Sequence, residues 1–128
     1  MISILRVVFD TNVLVSAIIS DGKSRELLKK AIANQYCIVA SDLILKELAA
    51  VLHRPKFKTP QDEVKRTITA LSRTADVIRV KTKIKAVIAD PKDDMVIETA
   101  IDGEASIIVT GDSHLLALNE YRGIRISL

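Results

Sequence analysis

The 128-residue chain has one cysteine, no tryptophan, four glycines and two histidines, and each scarcity closes a line of interpretation. The lone Cys37 rules out an internal disulfide, and its place in an apolar run assigns it to packing. Aromatics at 3% leave no platform on which bases could stack. Four glycines do not build a phosphate-cradling loop, and no serine or cysteine stands in a nucleophile-elbow context. Neither His53 nor His114 has a second histidine or a cysteine at ligand spacing, so a zinc site has no support, and both are read as exposed or capping. No apolar stretch approaches the ~20 residues that cross a bilayer. Residues 1–6 lack the basic, apolar and small-residue pattern of a secretory signal. These absences predict a cytoplasmic protein without a membrane anchor.

An apolar share of 48% and a charged share of 27% are those of a soluble globular protein, and 128 residues suit one domain spanning 1–128. The net charge of +3 conceals an uneven distribution. Residues 54–85 hold ten Lys or Arg against three acids, whereas residues 86–128 hold eight acids against three basic residues. A basic middle beside an acidic end suits a protein that holds a polyanion with one region and a cation with the other, although solvated helix faces produce similar clusters.

Short β-branched runs alternate with helical periodicity. Strands are expected at Leu5–Phe9, Cys37–Ala40, Asp76–Val80, Ile107–Thr110 and Ile124–Ser127. Helices are expected at Asn12–Ile19, Ser24–Asn34, Asp42–His53, Gln61–Thr74, Pro91–Asp102 and Ser113–Leu118. Continuously apolar strands separated by helices predict a parallel sheet covered on both faces, an α/β sandwich. In such folds ligands bind beyond the carboxyl ends of the strands.

Four carboxylates stand out against this plan. Asp10 ends the first apolar run, and Asp112 follows the fourth. A helical wheel places Glu47 between Leu43, Ile44 and Val51. In the next acidic helix it places Asp93 at the centre of the arc formed by Val96, Ile97, Ala100 and Ile101, with Asp94 near the arc's edge and free to meet solvent. A carboxylate against apolar surroundings loses hydration and needs a partner. Lys46 points off the Glu47 face, Lys92 precedes Asp93, and no Lys or Arg adjoins Asp10 or Asp112, so the economical counter-charge for the set is a divalent metal ion. Each acid also has a bland account: Asp10 and Asp112 as helix caps, Asp93 and Asp94 as first-turn acids favoured by the helix dipole after an Asp90 cap. Glu47, mid-helix, resists it.

The ordered segments Val8-Phe9-Asp10-Thr11-Asn12-Val13-Leu14, Ser41 to Glu47-Leu48, Asp90-Pro91-Lys92-Asp93-Asp94, and Ile108-Val109-Thr110-Gly111-Asp112 resemble the acidic motifs of the PIN-domain ribonuclease family. The likeness extends over nearly the whole chain and is strongest to small VapC-like toxins of toxin–antitoxin systems. It implies a three-layer α/β/α sandwich with a parallel five-stranded sheet, and Mg²⁺- or Mn²⁺-dependent RNA cleavage. Carried over residue by residue, it makes Asp10, Asp93 and Asp112 metal ligands, with Glu47 completing the acidic pocket, directly or through water. Asn12, Ser41, Thr110 and Ser113 fall where the family places supporting polar groups. A cognate antitoxin and a homodimer or higher homo-oligomer are implied as partners.

Hard cations want oxygen ligands, and a metal held by such a set polarises phosphate and acidifies water. Within the basic region, Arg54, Lys56 and Lys58 are the candidates for contact with the RNA backbone. A non-catalytic RNA- or protein-binding module with the same fold is the alternative reading. A phosphohydrolase of the aspartyl-phosphate type is disfavoured, because Asn12 stands where its second aspartate would be.

Overall fold

The computed structural model describes residues 4–55, 60–84 and 91–128, with the side chains of residues 91 and 92 left aside. Six strands form one sheet: β1 (Arg6–Phe9), β2 (Cys37–Ser41), β3 (Asp76–Ile78), β4 (Ile107–Val109), β5 (Glu120–Tyr121) and β6 (Ile124–Ser127). The helices are α1 (Thr11–Ile19), α2 (Lys23–Ile32), α3 (Asp42–Leu52), α4 (Gln61–Thr74), α5 (Pro91–Asp102) and α6 (Ser113–Leu118). Every element expected from the sequence is present, with ends shifted by at most two residues.

The strand order is β3-β2-β1-β4-β6-β5. The first five in that order are mutually parallel, and β5 runs antiparallel to β6. The expected five-stranded sheet is therefore six-stranded. The extra strand is two residues long, too short to leave a period, and it reaches β6 through Arg122 and Gly123, whose φ angles are 49° and 83°. Two successive positive φ values are what a tight two-residue hairpin requires, and an Arg in the first of those positions is a weak cue.

β1 is central, flanked by β2 and β4, and Val7, Val8 and Phe9 are all buried. Such a strand needs apolar side chains on both faces, hence the unbroken run rather than alternation. The connections to β2 and β3 travel one way along the sheet and those to β4 and β6 the other. Right-handed crossovers thus put α1 to α4 on one face and α5 and α6 on the opposite face. The reversal of direction opens a crevice at the carboxyl ends of β1 and β4.

The opposite end of the molecule is closed by Gly103. Its φ is not left-handed, so this glycine serves close approach rather than a helix-ending turn. A Cβ there would drive into Val39 Cγ1 and lie 2.9 Å from the Thr99 carbonyl. The Gly103 carbonyl accepts from Arg6 Nε at 2.8 Å, and the same guanidinium pairs with Asp76 at 2.7 Å. We expect Gly103→Ala to cost about 1–3 kcal/mol through overpacking, read as a lower thermal midpoint; an unchanged midpoint would contradict the close packing of α5 on β2.

Candidate metal centre

Asp10 follows β1 directly, and its backbone N–H donates to the Val109 carbonyl at 2.9 Å, so the strand pairing of β1 with β4 continues through the acid. The side chain is buried. Asp10 occupies the cap position of α1 but makes no side-chain cap bond; its Oδ2 instead accepts from Thr110 Oγ1 at 2.7 Å. Burial pushes the Asp10 carboxyl above its ordinary value of 3.8, and the charges of Asp112 and Glu47 add to that. The Thr110 hydroxyl and the Thr11 N–H oppose the shift in part. Capping therefore does not account for this acid.

Asp112 is different, because the capping account holds for it. Its Oδ1 accepts from the N–H groups of His114 and Leu115 at 2.8 and 3.2 Å, starting α6. Its own N–H donates to Thr110 Oγ1 at 3.0 Å. One buried hydroxyl thus joins Asp10 to Asp112 across the crevice between β1 and β4.

Glu47, half-buried on α3, accepts from Thr11 Oγ1 at 3.3 Å. The start of α3 is fixed by Ser41, fully buried, whose Oγ accepts from the Ile44 N–H at 3.1 Å and bonds Thr99 of α5 at 2.9 Å. Ser41 therefore locks the two acid-bearing helices, α3 and α5, to the end of β2. Asp93 lies buried in the first turn of α5.

These four acids line one cavity of about 200 Å³, together with Thr11, Asn12, Val51 and Arg54. Four different segments supply them: the end of β1, α3, α5, and the loop after β4. Asn12 is exposed at the cavity's edge. Ser113 is exposed, and among the described residues it makes no hydrogen bond to the four acids. Arg54 is the one cation lining the cavity among the described residues. Lys56 and Lys58, expected beside it as RNA contacts, lie outside the described residues, as does Asp90.

Two features differ from the sequence reading. Asp94, expected to meet solvent, is 6% exposed. A wheel reports only the arc that a helix turns to its own sheet, and consecutive residues differ by roughly 100°; burying both Asp93 and Asp94 requires the first turn of α5 to be covered on more than one side. Asp94 is nevertheless absent from the cavity lining. His114, set aside in sequence, has its Nδ1 at 3.9 Å from Asp93 Oδ2 and 3.7 Å from Asp112 Oδ1. Ligand atoms of Asp93, Asp112 and His114 all fall within 4.8 Å of one another. No local spacing could announce this, because Asp93 reaches His114 only through the fold.

The donor set fits a divalent cation. Carboxylate oxygens crowd a small cavity that, among the described residues, has Arg54 as its one lining cation, and the Asp93–Asp112 pair stands close enough to share an ion.

A family model described as PIN domain matches residues 6–114. The chain belongs to the PIN-domain family. The uncharacterized protein MJ1680 of Methanocaldococcus jannaschii is 30% identical over 120 residues, covering 91% of this chain and 76% of its own. Among solved structures, VapBC2 from Rickettsia felis, bound to a DNA fragment from its promoter, superposes with a TM-score of 0.68 at 16% identity, over 97% of this chain and 99% of that one. PAE2754 from Pyrobaculum aerophilum gives 0.59 at 15% identity, over 97% and 83%. At such identities the likeness establishes this PIN chain's fold.

Asp10 supplies a test of the site that needs no substrate. With its pKa raised on folding, the folded protein holds this proton to higher pH than the unfolded chain does. Stability is therefore lost as pH rises from 3.8 through the folded value and stays lower beyond it. In EDTA at pH 7, Asp10→Asn should melt above the parent, and the gap should close as pH falls below 3.8. Added Mn²⁺ should raise the parent's midpoint more than the variant's. A variant that melts lower at every pH would show that the Asp10 charge is compensated within the protein.

Proposed function

We propose that this PIN-domain protein is a metal-dependent endoribonuclease, the toxin of a toxin–antitoxin pair, acting as a single catalytic domain in the cytoplasm. The observation that carries the reading is the convergence of Asp10, Glu47, Asp93 and Asp112, from four separate segments, on one cavity. The acids serve as its catalytic and metal-binding residues, with Mg²⁺ or Mn²⁺ as the cofactor.

When bound, the ion supplies Lewis acidity toward a phosphate oxygen and makes a nearby water more acidic. Asp93 and Asp112 hold it, and Asp10, oriented by Thr110, completes the carboxylate set. Glu47, steadied by Thr11, orients the attacking water and takes its proton. Arg54 at the rim meets the RNA phosphate. Water oxygen bonds to phosphorus as the bond from phosphorus to the 3′ oxygen breaks; the 3′ oxygen takes up a proton, leaving a 3′-hydroxyl and a 5′-phosphate.

The fold likeness to VapBC2 supports an antitoxin as partner, and a homodimer or higher homo-oligomer is the proposed assembly. No described helix is long and apolar enough to cross a membrane.

Purified protein should cut a panel of tRNA and single-stranded RNA with Mg²⁺ or Mn²⁺ and stop in EDTA. Asp10→Asn and Asp93→Asn should each lose at least about a hundredfold in rate, the equivalent of about 2.7 kcal/mol of transition-state stabilisation. RNA binding with no cleavage under any metal would replace the nuclease with a binding module on the same fold. Cleavage surviving in both variants would remove these acids from the mechanism.

A further inference from the structure

The β3-to-α5 connection carries an arrangement that the acidic cavity does not explain. Beyond β3, residues 79–84 form neither helix nor strand, yet their burial alternates with period two. Arg79, Lys81 and Lys83 are exposed, and Val80, Thr82 and Ile84 are half-buried between them. Among the described residues, none of the three cations forms an ion pair within 4.0 Å; the Lys81 side chain acts on Asp102 through its field, without close contact.

The backbone of this segment is held by acids. Asp42 Oδ1 accepts from the Val80 N–H at 3.3 Å. Asp102 accepts from the N–H groups of Lys81 and Thr82 at 2.6 and 2.9 Å and from the Thr82 hydroxyl at 2.5 Å. Glu98 Oε2 accepts from the Ile84 N–H at 2.9 Å. These bonds pull the Asp102 carboxyl below its ordinary value. These carboxylates keep their charge but are directed at backbone N–H groups rather than at the Arg79, Lys81 and Lys83 side chains, which are exposed.

Direction matters as well. The segment is tied first to Asp102 and then to Glu98, so it climbs α5 toward the turn that carries Asp93. At 1.5 Å of rise per residue, the two anchors lie roughly 14 and 8 Å along the helix from Asp93. Lysines beside an open sheet edge also guard against unwanted strand pairing, and β3 is such an edge. That accounts for Arg79, at the end of the strand. It does not account for Lys81 and Lys83, whose backbone has left the sheet and is bound to α5.

We propose that Arg79, Lys81 and Lys83 form a fixed cationic rail that tracks the sugar-phosphate backbone of single-stranded RNA and leads it to the acidic cavity. Alternate residues of an extended segment stand roughly 6.6 Å apart on one side, comparable to successive phosphates of an extended strand. The scarcity of aromatics makes backbone charge the available means of grip. The proposal deepens the nuclease reading and rests on it for the destination of the strand, while the binding itself can be measured without cleavage.

The experiment measures binding of a short fluorescein-labelled oligo-uridine to the full chain carrying Asp10→Asn, across a range of salt concentrations. A variant with Arg79, Lys81 and Lys83 changed to Gln should show a salt slope shallower by about 2, three contacts at ~0.7 each. Changing Lys65, Arg66 and Arg73 of α4 to Gln removes the same charge elsewhere and should leave the slope nearly unchanged. Asp102→Ala separates geometry from net charge: it makes the protein more positive, yet loosening the rail should weaken binding. Equal effects of the two triple variants, no effect of the first, or tighter binding by Asp102→Ala would each overturn the rail. Melting curves confirm that every variant is folded. Rail-dependent binding, with no RNA cleavage by the chain that retains Asp10, would remove the nuclease reading and leave the rail standing.

Discussion

The Thr110 hydroxyl is the contact on which the rest of this site depends. It donates to Asp10 and accepts from the backbone of Asp112, and so joins the two points where β1 and β4 leave the sheet in different directions. A hydroxyl can do both at once, which neither an aliphatic side chain nor a carboxylate could do at this spot. Because it is buried with both bonds made, its loss would strand two polar groups in the interior. The fold supplies a crevice, and this one group determines how two acids face into it.

Around that contact the architecture distributes tasks between strands and helices. The end of β1 places Asp10, whose N–H continues the pairing with β4, and the loop after β4 places Asp112, whose N–H is held by the Thr110 hydroxyl. Helices place Glu47 and Asp93, and their rotation is fixed by Ser41 bonding both the start of α3 and Thr99 of α5. Holding Asp10 charged here is unfavourable, first because it is buried and secondarily because Asp112 and Glu47 stand near it. The core opposes that strain with Val8, Ile44, Leu48, Ile97 and Ile108, all essentially without solvent contact.

The sequence was most legible where a residue's environment is local. Alternation of apolar runs with helical periods located the elements, since burial on both sheet faces writes itself into consecutive residues such as Val7, Val8 and Phe9. Wheels found Glu47 and Asp93 because each interrupts its own helix's apolar arc. What stayed hidden was contact between distant segments. Asp94 is buried by something other than its own helix face, His114 meets Asp93 only after α5 and α6 are in place, and β5 exists because a turn of two positive φ angles brings Glu120 and Tyr121 back along β6. The capping account and the acidic-cavity account of Asp112 proved compatible rather than competing, since one oxygen begins α6 while the residue lines the cavity.

The burial of α1 has a further bearing on behaviour over time. Thr11, Val13, Leu14, Val15 and Ala17 are all buried in a nine-residue helix, which is thus enclosed on several sides rather than amphipathic. Asp10 sits between this helix and the central strand, the parts of a fold that open last. Amide protons around it should exchange only through events approaching global unfolding. An acid rooted in slow-exchanging structure cannot be rearranged by local breathing. Any on–off control of this site therefore has to come from what covers its mouth, and not from loosening of its base.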